Sequence, residues 1–533
     1  MQKFEHLSLM LDCSRNAAPT LHTIKRWITL AAEMGYNEIQ LYLEDLYEMP
    51  SEPYFGYMRG RYGERELKEL DAFACDAGII LTPCIQTLAH LNQVTRWYHY
   101  YPIIDTGDIL LAGDERTYAL IEKMFNTLSR CFSHKRINIG MDEAHLIGRG
   151  AYLDKNGYRP KFDILIEHLN RVLQIAEKYG FEPMMWGDMF YRAFATGENY
   201  IDAEIPDSAK AMIPDVELIY WDYSVCDYDE CARKMKKFLS MGKRVGFAGS
   251  ALNYFGFAPH VDFSVRAAKQ TVRAALDCGL PDFTVTMWRD NGAEGSFYAS
   301  LPALFAVAQF ARGNTDEKDI RERFFKTFGI AYEDFELLGL PDKAGVANIP
   351  VTNPSKYAFY NDPFLGLFDR NLRSCDESKF AEYKSKLTEA AARAGEYAYL
   401  FETQAAFCDA MSVKWALGIR IREAYKSKDA ANLRAAADRC LLAEEKVRVF
   451  YEKVKAVWLA ENKPFGLEVL TARFGGLRMR LRDCAERLCA VADGGVNKIE
   501  ELEEEQLLFD EKFPDGIDTR YNDYKTIITA SIV

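Results

Sequence analysis

The chain is short of three things: long hydrophobic runs, positive charge and clustered cysteines. No apolar run in its 533 residues approaches the ~20 needed to cross a bilayer. Lys and Arg total 66 against 79 Asp and Glu, giving a net charge of -13 and a pI near 5.3. Nucleic acids and anionic membranes both reward clustered cations, so this balance argues against either as the main partner and favours a neutral or small one. The 12 cysteines are scattered. Their closest pairs, Cys226 with Cys231 and Cys484 with Cys489, miss the Cys-x-x-Cys spacing of metal and redox sites, so reduced, mostly buried thiols are expected. Met1 to Leu11 lacks a basic segment followed by an apolar core and a small-residue cleavage site, and a cytoplasmic location is expected. Phosphate-binding glycine loops are missing too. No G-x-G-x-x-G follows the first strand-like run, and the nearest Gly-Lys, Gly242-Lys243, continues into Arg244 instead of Ser or Thr. The tetrapeptide Asp142-Glu143-Ala144-His145 therefore lacks the phosphate loop that a helicase-type nucleotide hydrolase would need.

With 49% apolar and 27% charged residues, a chain of this length can bury a large core and divide into two or more domains. Eight short β-type runs alternate with helical stretches: His6 to Leu11, Glu38 to Leu43, Ile79 to Ile85, Arg136 to Met141, Pro183 to Trp186, Glu217 to Trp221, Arg244 to Ala248 and Phe283 to Trp288. This alternation predicts an α/β fold, a (β/α)8 TIM barrel over residues 1–310, in preference to an open doubly wound sheet. The first helix carries Ile24, Trp27, Ile28 and Ala31 on one stripe, and Gly35 is placed to stop it. Between Pro363 and Pro464 there is no proline, and Val447, Phe450, Tyr451, Val454 and Val457 keep helical spacing while Glu444, Glu445, Lys446 and Lys453 take other faces. An all-α carboxy-terminal domain over 311–533 is expected, with the acidic run Glu500 to Glu505 a solvated helix face. All eight histidines lie at or before His260, which locates the chemistry in the barrel half.

Barrel enzymes keep their chemistry at the carboxy-terminal ends of the strands, and polar and aromatic residues recur there. Asp12 and Arg15 follow the first predicted strand, Glu44 and Asp45 the second, Gln86 and His90 the third, and Asp142, Glu143 and His145 the fourth. Trp186 and Asp188 close the fifth, Trp221, Asp222 and Tyr223 the sixth, Asn253 and Tyr254 follow the seventh, and Trp288 and Asp290 finish the eighth. Sugars present apolar C–H faces and a ring of hydroxyls, so flat aromatic surface with carboxylates and guanidinium groups suits them. Any single tryptophan is equally explained as barrel core; the repeated Trp-x-Asp spacing speaks for the set. Neighbours in a regular strand point to opposite faces, so Asp142 and Glu143 can reach one ligand only if the pleat breaks immediately after Met141. An enzyme nucleophile must sit across the anomeric carbon from the acid, whereas adjacent carboxylates work from one side. The seventh-strand stretch Gly249 to Tyr254 offers no carboxylate. The substrate's own 2-acetamido group can then serve, with Glu143 protonating the leaving oxygen, Asp142 orienting the acetamide, and Tyr223 or Tyr254 donating to its oxygen.

Ile139-Gly140-Met141-Asp142-Glu143, with the later strand-end tryptophans and the terminal Trp288-x-Asp290, resembles glycoside hydrolase family 20, the β-N-acetylhexosaminidases. Leu11-Asp12-Cys13-Ser14-Arg15-Asn16, Leu41-Tyr42-Leu43-Glu44-Asp45, Tyr57-Met58-Arg59-Gly60-Arg61-Tyr62 and Met141-Asp142-Glu143-Ala144-His145 look like the branch that begins directly with its barrel and ends in a helical domain. The resemblance implies exo-acting, substrate-assisted retaining hydrolysis of terminal β-linked N-acetylglucosamine or N-acetylgalactosamine from an oligosaccharide or glycoconjugate, with no metal or other cofactor. It implies catalytic Asp142 and Glu143 and substrate contacts from Arg15, Glu44, Gln86, His90, His145, Trp186, Trp221, Tyr223, Tyr254, Trp288 and Asp290, with His90 beside the acid pair; a hydrogen-bonded structural histidine, or a metal ligand together with His145, is the competing reading for His90. Two departures stand out. The family's strand-one Arg-Gly pair, whose arginine holds O3 and O4 of the sugar, is replaced by Leu7-Ser8, leaving Arg15, Arg59 or Arg61 to substitute. A small residue between Trp288 and Asp290 is replaced by Arg289, which either reads an anionic group on the substrate or turns outward to pair with Asp282 or Glu294. The alternatives in function are a barrel glycosidase with Asp290 or Glu294 as nucleophile, and a non-catalytic carbohydrate-binding barrel. The helical domain can cover the barrel, lend it a residue, with Arg473 the candidate, or pair two chains as a homodimer.

Overall fold

A computed structural model of the protein describes residues 3–197, 199–344, 353–372, 376–509 and 523–531. Its strands, in chain order, are β1 (His6–Asp12), β2 (Glu38–Tyr42), β3 (Ile80–Cys84), β4 (Ile104–Thr106), β5 (Ile109–Leu110), β6 (Arg136–Asn138), β7 (Glu182–Trp186), β8 (Glu217–Trp221), β9 (Val245–Ser250) and β10 (Asp282–Met287). Eight of them close a parallel barrel in the order β1-β10-β9-β8-β7-β6-β3-β2. Parallel barrel strands are covered on both faces and so read as near-continuous apolar runs; every residue of β2 and β10 is buried. Register is pinned by apolar partners such as Leu9 opposite Ile39 and Val285. The expected (β/α)8 barrel is thus present, with a barrel strand in each of the eight predicted runs. The antiparallel pair β4 and β5 has no counterpart in that reading, because three- and two-residue strands are too short to show a period.

The first barrel helix, Leu21–Met34, buries Ile24, Trp27, Ile28 and Ala31. Thr20 caps its amino end by accepting the Thr23 N–H, and Gly35, at φ 93°, stops it with its N–H on the Ala31 carbonyl. Among the described residues, no helix is long and apolar enough to cross a membrane.

The amino-terminal halves of the barrel strands carry a buried polar network. Arg136 on β6 reaches Glu38 on β2 at 3.2 Å, Glu217 on β8 at 3.3 Å and Asp282 on β10 at 3.7 Å. Arg244 adds contacts to Glu217 and Asp282, and His6 lies 2.6 Å from Asp282. Ser8 and Thr82 donate to Glu38. Ser8, the second residue of the Leu7-Ser8 pair, therefore belongs to this network. Burial pushes Glu217 up to about 8, helped by its hydrogen bond with Asp282, while Asp282, despite its burial, is held below the usual carboxylate range by His6, Glu217 and Arg136.

Two compact units divide the chain. The first comprises 1–251, 265–288 and 304–315, and the second comprises 252–264, 289–303 and 316–533. The second is built mainly of helices, including Lys379–Ala391, Ala398–Lys414, Leu417–Ser427, Ala430–Glu461 and Leu467–Ala492. Val447, Phe450 and Val454 are buried as their spacing predicts. Glu444 departs from its expected exposed face: it is buried and paired with Arg478 at 2.6 Å and Arg482 at 3.4 Å. In the acidic run, Glu501 is not free in solvent either, since Arg487 grips both its oxygens at 2.6 and 2.8 Å.

Removing Arg136 leaves three carboxylates facing one another with their shared cation gone. Arg136→Ala is expected to cost about 3–5 kcal/mol, the scale for orphaning a buried ion pair, read as a lowered denaturation midpoint; an unchanged midpoint would show that the network is not holding the barrel closed.

Candidate active site

The backbone departs from strand geometry earlier than the sequence suggests. β6 ends at Asn138, three residues before Met141, and Gly140, Met141 and Glu143 all take left-handed conformations, with φ of 75°, 72° and 51°. The pleat therefore breaks ahead of Met141, not after it. Specific partners hold the turn: the Gly140 N–H donates to Asn138 Oδ1 at 2.9 Å, Met141 N–H to Gln86 Oε1 at 3.1 Å and Glu143 N–H to Asp188 Oδ2 at 3.2 Å. With the pleat gone, the adjacent carboxylates converge on one imidazole. His90 Nε2 lies 3.0 Å from Asp142 Oδ2 and 3.6 Å from Glu143 Oε2.

Gln86 organises this cluster with its side-chain amide. Its oxygen receives the Met141 N–H, and its nitrogen donates to Asp142 Oδ1 at 2.8 Å and to the Tyr42 hydroxyl at 2.9 Å. Burial works against charge on His90, yet the Asp142 carboxylate beside it prevails and pushes the imidazole up to about 9. Burial likewise opposes the charge on Asp142, but His90 and the Gln86 amide hold it below the usual carboxylate range. Among the described residues, no group of three or more His, Cys, Asp or Glu side chains is arranged to hold a metal.

Around the acid pair, Arg15 spans Asp12 (3.3 Å) and Glu44 (3.6 Å) and lies over the rings of Tyr42 and Trp288, 5.7 and 5.6 Å from their centroids. Of the three candidate arginines, Arg15 is the one in the site. Arg59 pairs with Asp45 and donates to the Arg15 carbonyl at 2.9 Å, so it positions Arg15, while Arg61 donates to the carbonyls of Pro53 and Phe55 in its own loop. Glu44 is pushed up to about 7 by burial, which Arg15, Arg59 and His90 only partly offset.

Trp288 is the hub of the aromatic surface. Tyr42 meets it edge-on at 4.8 Å, Trp186 lies 6.2 Å away, and Tyr223, itself stacked on Trp221 at 5.3 Å, approaches it at 6.4 Å. Trp186 and Trp288 are nearly buried, and among the described residues their indole N–H groups have no hydrogen-bond partner; nor does Glu44 Oε1. Buried polar atoms without partners are rare, and these three belong to residues packed around Arg15 and Trp288.

The Trp-x-Asp pattern divides. Asp188 is buried; besides the Glu143 N–H it accepts from Arg192 Nε at 2.7 Å, and burial with the nearby Asp142 charge pushes it up to about 6. It supports the backbone under Glu143 and does not form a sugar wall. Asp222 is likewise taken up by Tyr220 and Lys234. Arg192, absent from the sequence reading, comes 3.6 Å from Glu143 Oε1 and stacks on Tyr200 at 4.0 Å. Its only signal was the i,i+4 spacing to Asp188. Tyr42 was also missed, because inside a buried strand it reads as core. His145 is exposed, and its carbonyl accepts from Lys161 at 2.5 Å; burial of its ring and the Arg192 charge lower its pKa.

Tyr254 and Asp290 fall in the second unit. Tyr254 stacks on Phe255 at 4.6 Å, and Asp290 opens a single 3-10 turn, Asp290–Gly292. Glu294, the other candidate nucleophile, is buried between Lys356 at 2.8 Å, Arg473 at 3.1 Å and the Tyr360 hydroxyl at 2.8 Å. Arg473 also donates to the Asn291 carbonyl at 2.7 Å, so it braces the 289–295 segment. Arg289 does not turn outward. It is buried, bonded to Asn462 Oδ1 at 2.6 Å and lies over Phe297 at 3.7 Å, while Asp282 and Glu294 have other partners.

Fold and site together define a (β/α)8 barrel with an acid pair and an aromatic floor at its strand ends. Residues 333–520 match the family model described as the Glycoside Hydrolase 20C C-terminal domain, so the chain carries that domain, in line with the family 20 resemblance of its barrel motifs. No curated protein matches the chain. Among solved structures, a family 20 exo β-N-acetylglucosaminidase from Vibrio harveyi is similar at 15% identity over 63% of this chain and 58% of its own, with a TM-score of 0.46. A Flavobacterium johnsoniae chitobiase is similar at 15% identity over 98% and 78% (TM-score 0.48), and a Bacteroides fragilis β-N-acetylhexosaminidase at 19% over 63% and 71% (0.47). The chain thus spans less than two thirds of the Vibrio structure's length.

Two measurements probe the cluster. A β-carbon at Gly140 would overlap the Gln86 amide oxygen and lie 2.8 Å from the Ile85 carbonyl oxygen, at a φ that disfavours any side chain. Gly140→Ala is expected to cost about 1–3 kcal/mol of stability and, by displacing Gln86 from Asp142, to lower turnover about 100-fold; full turnover would show that Gln86 does not position the pair. Second, a histidine whose pKa rises from 6.5 to about 9 on folding adds stability that is complete below about 6.5 and is lost as pH climbs through 9. Between pH 6 and 10 the wild type should lose more stability than His90→Gln, by up to about 3 kcal/mol, in denaturant titrations at each pH; parallel losses would remove the charged-imidazole assignment.

Proposed function

We propose that the protein is an exo-acting β-N-acetylhexosaminidase, releasing terminal β-linked N-acetylglucosamine or N-acetylgalactosamine from oligosaccharides or glycoconjugates by substrate-assisted, retaining hydrolysis. The observation that carries this reading is the convergence of Asp142 and Glu143 on His90 from one side of the site. Carboxylates placed across an anomeric carbon would point to an enzyme nucleophile; side by side, they leave the opposite face to the substrate's acetamide.

Glu143 donates its proton to the glycosidic oxygen as the C1–O bond breaks, and the acetamide oxygen closes on C1 to form an oxazolinium ring. Asp142, ionised beside His90, accepts the acetamide N–H and balances the positive charge on that ring. Glu143, now a carboxylate, takes a proton from water as the water adds to C1 and reopens the ring with net retention. Glu44 and Arg15 supply an acceptor and a cation for sugar hydroxyls. The unpartnered indole N–H groups of Trp186 and Trp288 supply donors beside flat surface, which suits the C–H face of a pyranose. The binding-protein alternative gives no reason to hold a carboxylate ionised against burial beside a second, more open one.

The test compares aryl β-glycosides of N-acetylglucosamine, N-acetylgalactosamine and glucose, with and without a thiazoline mimic of the oxazoline. Turnover confined to the acetamido sugars and blocked by the mimic is expected; turnover of the glucoside untouched by it would overturn substrate assistance. Glu143→Gln should lose about 10²–10⁴-fold on poor leaving groups and little on good ones, whereas Asp142→Asn should depress both. The same leaving-group dependence in both variants would refute the division of roles.

A further inference from the structure

The loops that follow β2 and β3 lie at the same end of the barrel as the acid pair and carry an aromatic surface that the chemistry above does not use. Tyr54 and Tyr57 are each 41% exposed and Met58 is 65% exposed. Tyr54 lies 5.6 Å from Trp97 and 5.5 Å from His99, with their planes tilted by only 34° and 35°, and Tyr57 closes against Trp97 at 5.5 Å. Beyond them Tyr98 and Tyr101, 89% and 69% exposed, stack at 6.0 Å with planes 12° apart. Rings this exposed would ordinarily be dispersed, because a contiguous apolar patch on a protein surface has a cost unless something covers it.

The patch is built, not incidental. Beneath it Glu52 is nearly buried and ties both loops to the barrel: it accepts from the Tyr100 hydroxyl at 3.0 Å and Lys123 Nζ at 2.6 Å, with His99 Nε2 at 3.4 Å. Arg61 adds bonds to the Pro53 and Phe55 carbonyls that fix the loop bearing Tyr54 and Tyr57. The patch also joins the site through the chain. Arg59, next to Met58, is the residue that anchors Asp45 and the Arg15 carbonyl, and the segment carrying Trp97 begins just after His90, which lies against the acid pair.

Resting on the hexosaminidase reading, we propose that Tyr54, Tyr57 and Trp97 form a platform for the sugar chain on the leaving-group side of the cleaved bond, so that the substrate is an oligosaccharide of at least three units. Its occupant is a carbohydrate because the surface offers ring faces and aromatic edges, with the Arg96 guanidinium beside Trp97: pyranose C–H faces stack on such rings, and the guanidinium, the flanking tyrosine hydroxyls and His99 suit sugar hydroxyls. Continuity with Arg15 and His90 sets it on the path that a chain must take after its terminal unit has entered the site. A pre-ordered platform costs the substrate little of its own ordering, which is what the Glu52 anchor supplies.

The experiment measures kcat/KM on a trisaccharide ending in β-linked N-acetylglucosamine and, in parallel, the inhibition constant of the thiazoline, which fills only the place of the cleaved sugar. Trp97→Ala and the pair Tyr54→Ser with Tyr57→Ser should each lower the ratio of trisaccharide kcat/KM to thiazoline affinity about 10-fold, and Trp97→Phe should restore most of it, which also separates lost stacking from a misfolded loop. Equal weakening of trisaccharide and thiazoline would reduce Trp97 to a structural part and overturn the proposal, as would unaltered trisaccharide kinetics alongside normal thiazoline binding. A wild type that neither binds the thiazoline nor cleaves acetamido sugars would instead overturn the hexosaminidase reading, and the platform as a leaving-group site with it.

Discussion

Everything in the site depends on a backbone held where most residues do not go. Met141 and Glu143, on either side of Asp142, sit at positive φ, as do Glu44 and His90 on neighbouring strand ends. None of the four is glycine or asparagine, and each such residue costs on the order of 1–3 kcal/mol. At the acid pair the offset is visible in hydrogen bonds from buried groups: Gln86 takes the Met141 N–H and Asp188 takes the Glu143 N–H. A regular strand would have met those N–H groups with a neighbouring carbonyl and sent the two carboxylates to opposite faces. Side-chain acceptors in place of the ladder let the chain twist without leaving donors unpaired, and that twist sets adjacent acids beside one imidazole.

The barrel is charged at both ends, and at each end a central cation sits among several buried acids. At the amino-terminal end Arg136 reaches carboxylates on three other strands. At the carboxy-terminal end the cation is His90, next to Asp142 and within reach of Glu143. The choice of residue matters. A guanidinium stays charged at any relevant pH and suits a purely structural closure. An imidazole keeps its proton only while its carboxylate partner does the holding, so the state of the acid pair is coupled to the group between them. Three chemically similar clusters, one centred on Arg136, one on His90 and one on Glu294 in the second unit, thus serve different ends, and what separates them is whether an aromatic floor with unpartnered donors lies alongside.

The barrel was legible because its strands are local: each is a short apolar run between helices, and periodicity with turn residues is enough to find it. Much of the site was legible for the same reason, since strand ends in a barrel converge whatever the long-range details. Arg15, Glu44, Gln86, His90, Asp142, Glu143, Trp186, Trp221, Tyr223 and Trp288 do come together within the first unit. What the sequence hid were directions and partners. Asp188 has the spacing of a pocket residue but turns beneath Glu143, because the short helix it begins also brings Arg192 to it. Tyr42 has the spacing of a core residue but reaches Gln86 and Trp288. Asp290 and Tyr254 follow strand ends in sequence yet cluster with the second unit, a division that depends on contacts hundreds of residues away in the chain. Glu444 and Arg289 escaped for a like reason: a charged residue is taken as exposed until its partner is known, and their partners, Arg478 and Asn462, are distant in sequence.

Two neighbouring carboxyl groups can divide acid and anion roles only if their surroundings differ, and here they do. The Asp142 side chain is 15% exposed and receives the Gln86 amide and the His90 charge; the Glu143 side chain is 38% exposed, with His90 and Arg192 each at 3.6 Å. The enclosed group is held as the anion by His90 and the Gln86 amide, and the open one faces solvent. On the proposed reading, an oxazolinium ring carries its positive charge on the acetamide, not on the departing oxygen, so the fixed anion would belong at the acetamide and the proton donor at the bond being cleaved. The asymmetry of enclosure then supports that division of roles, with no difference in side-chain chemistry required beyond one methylene.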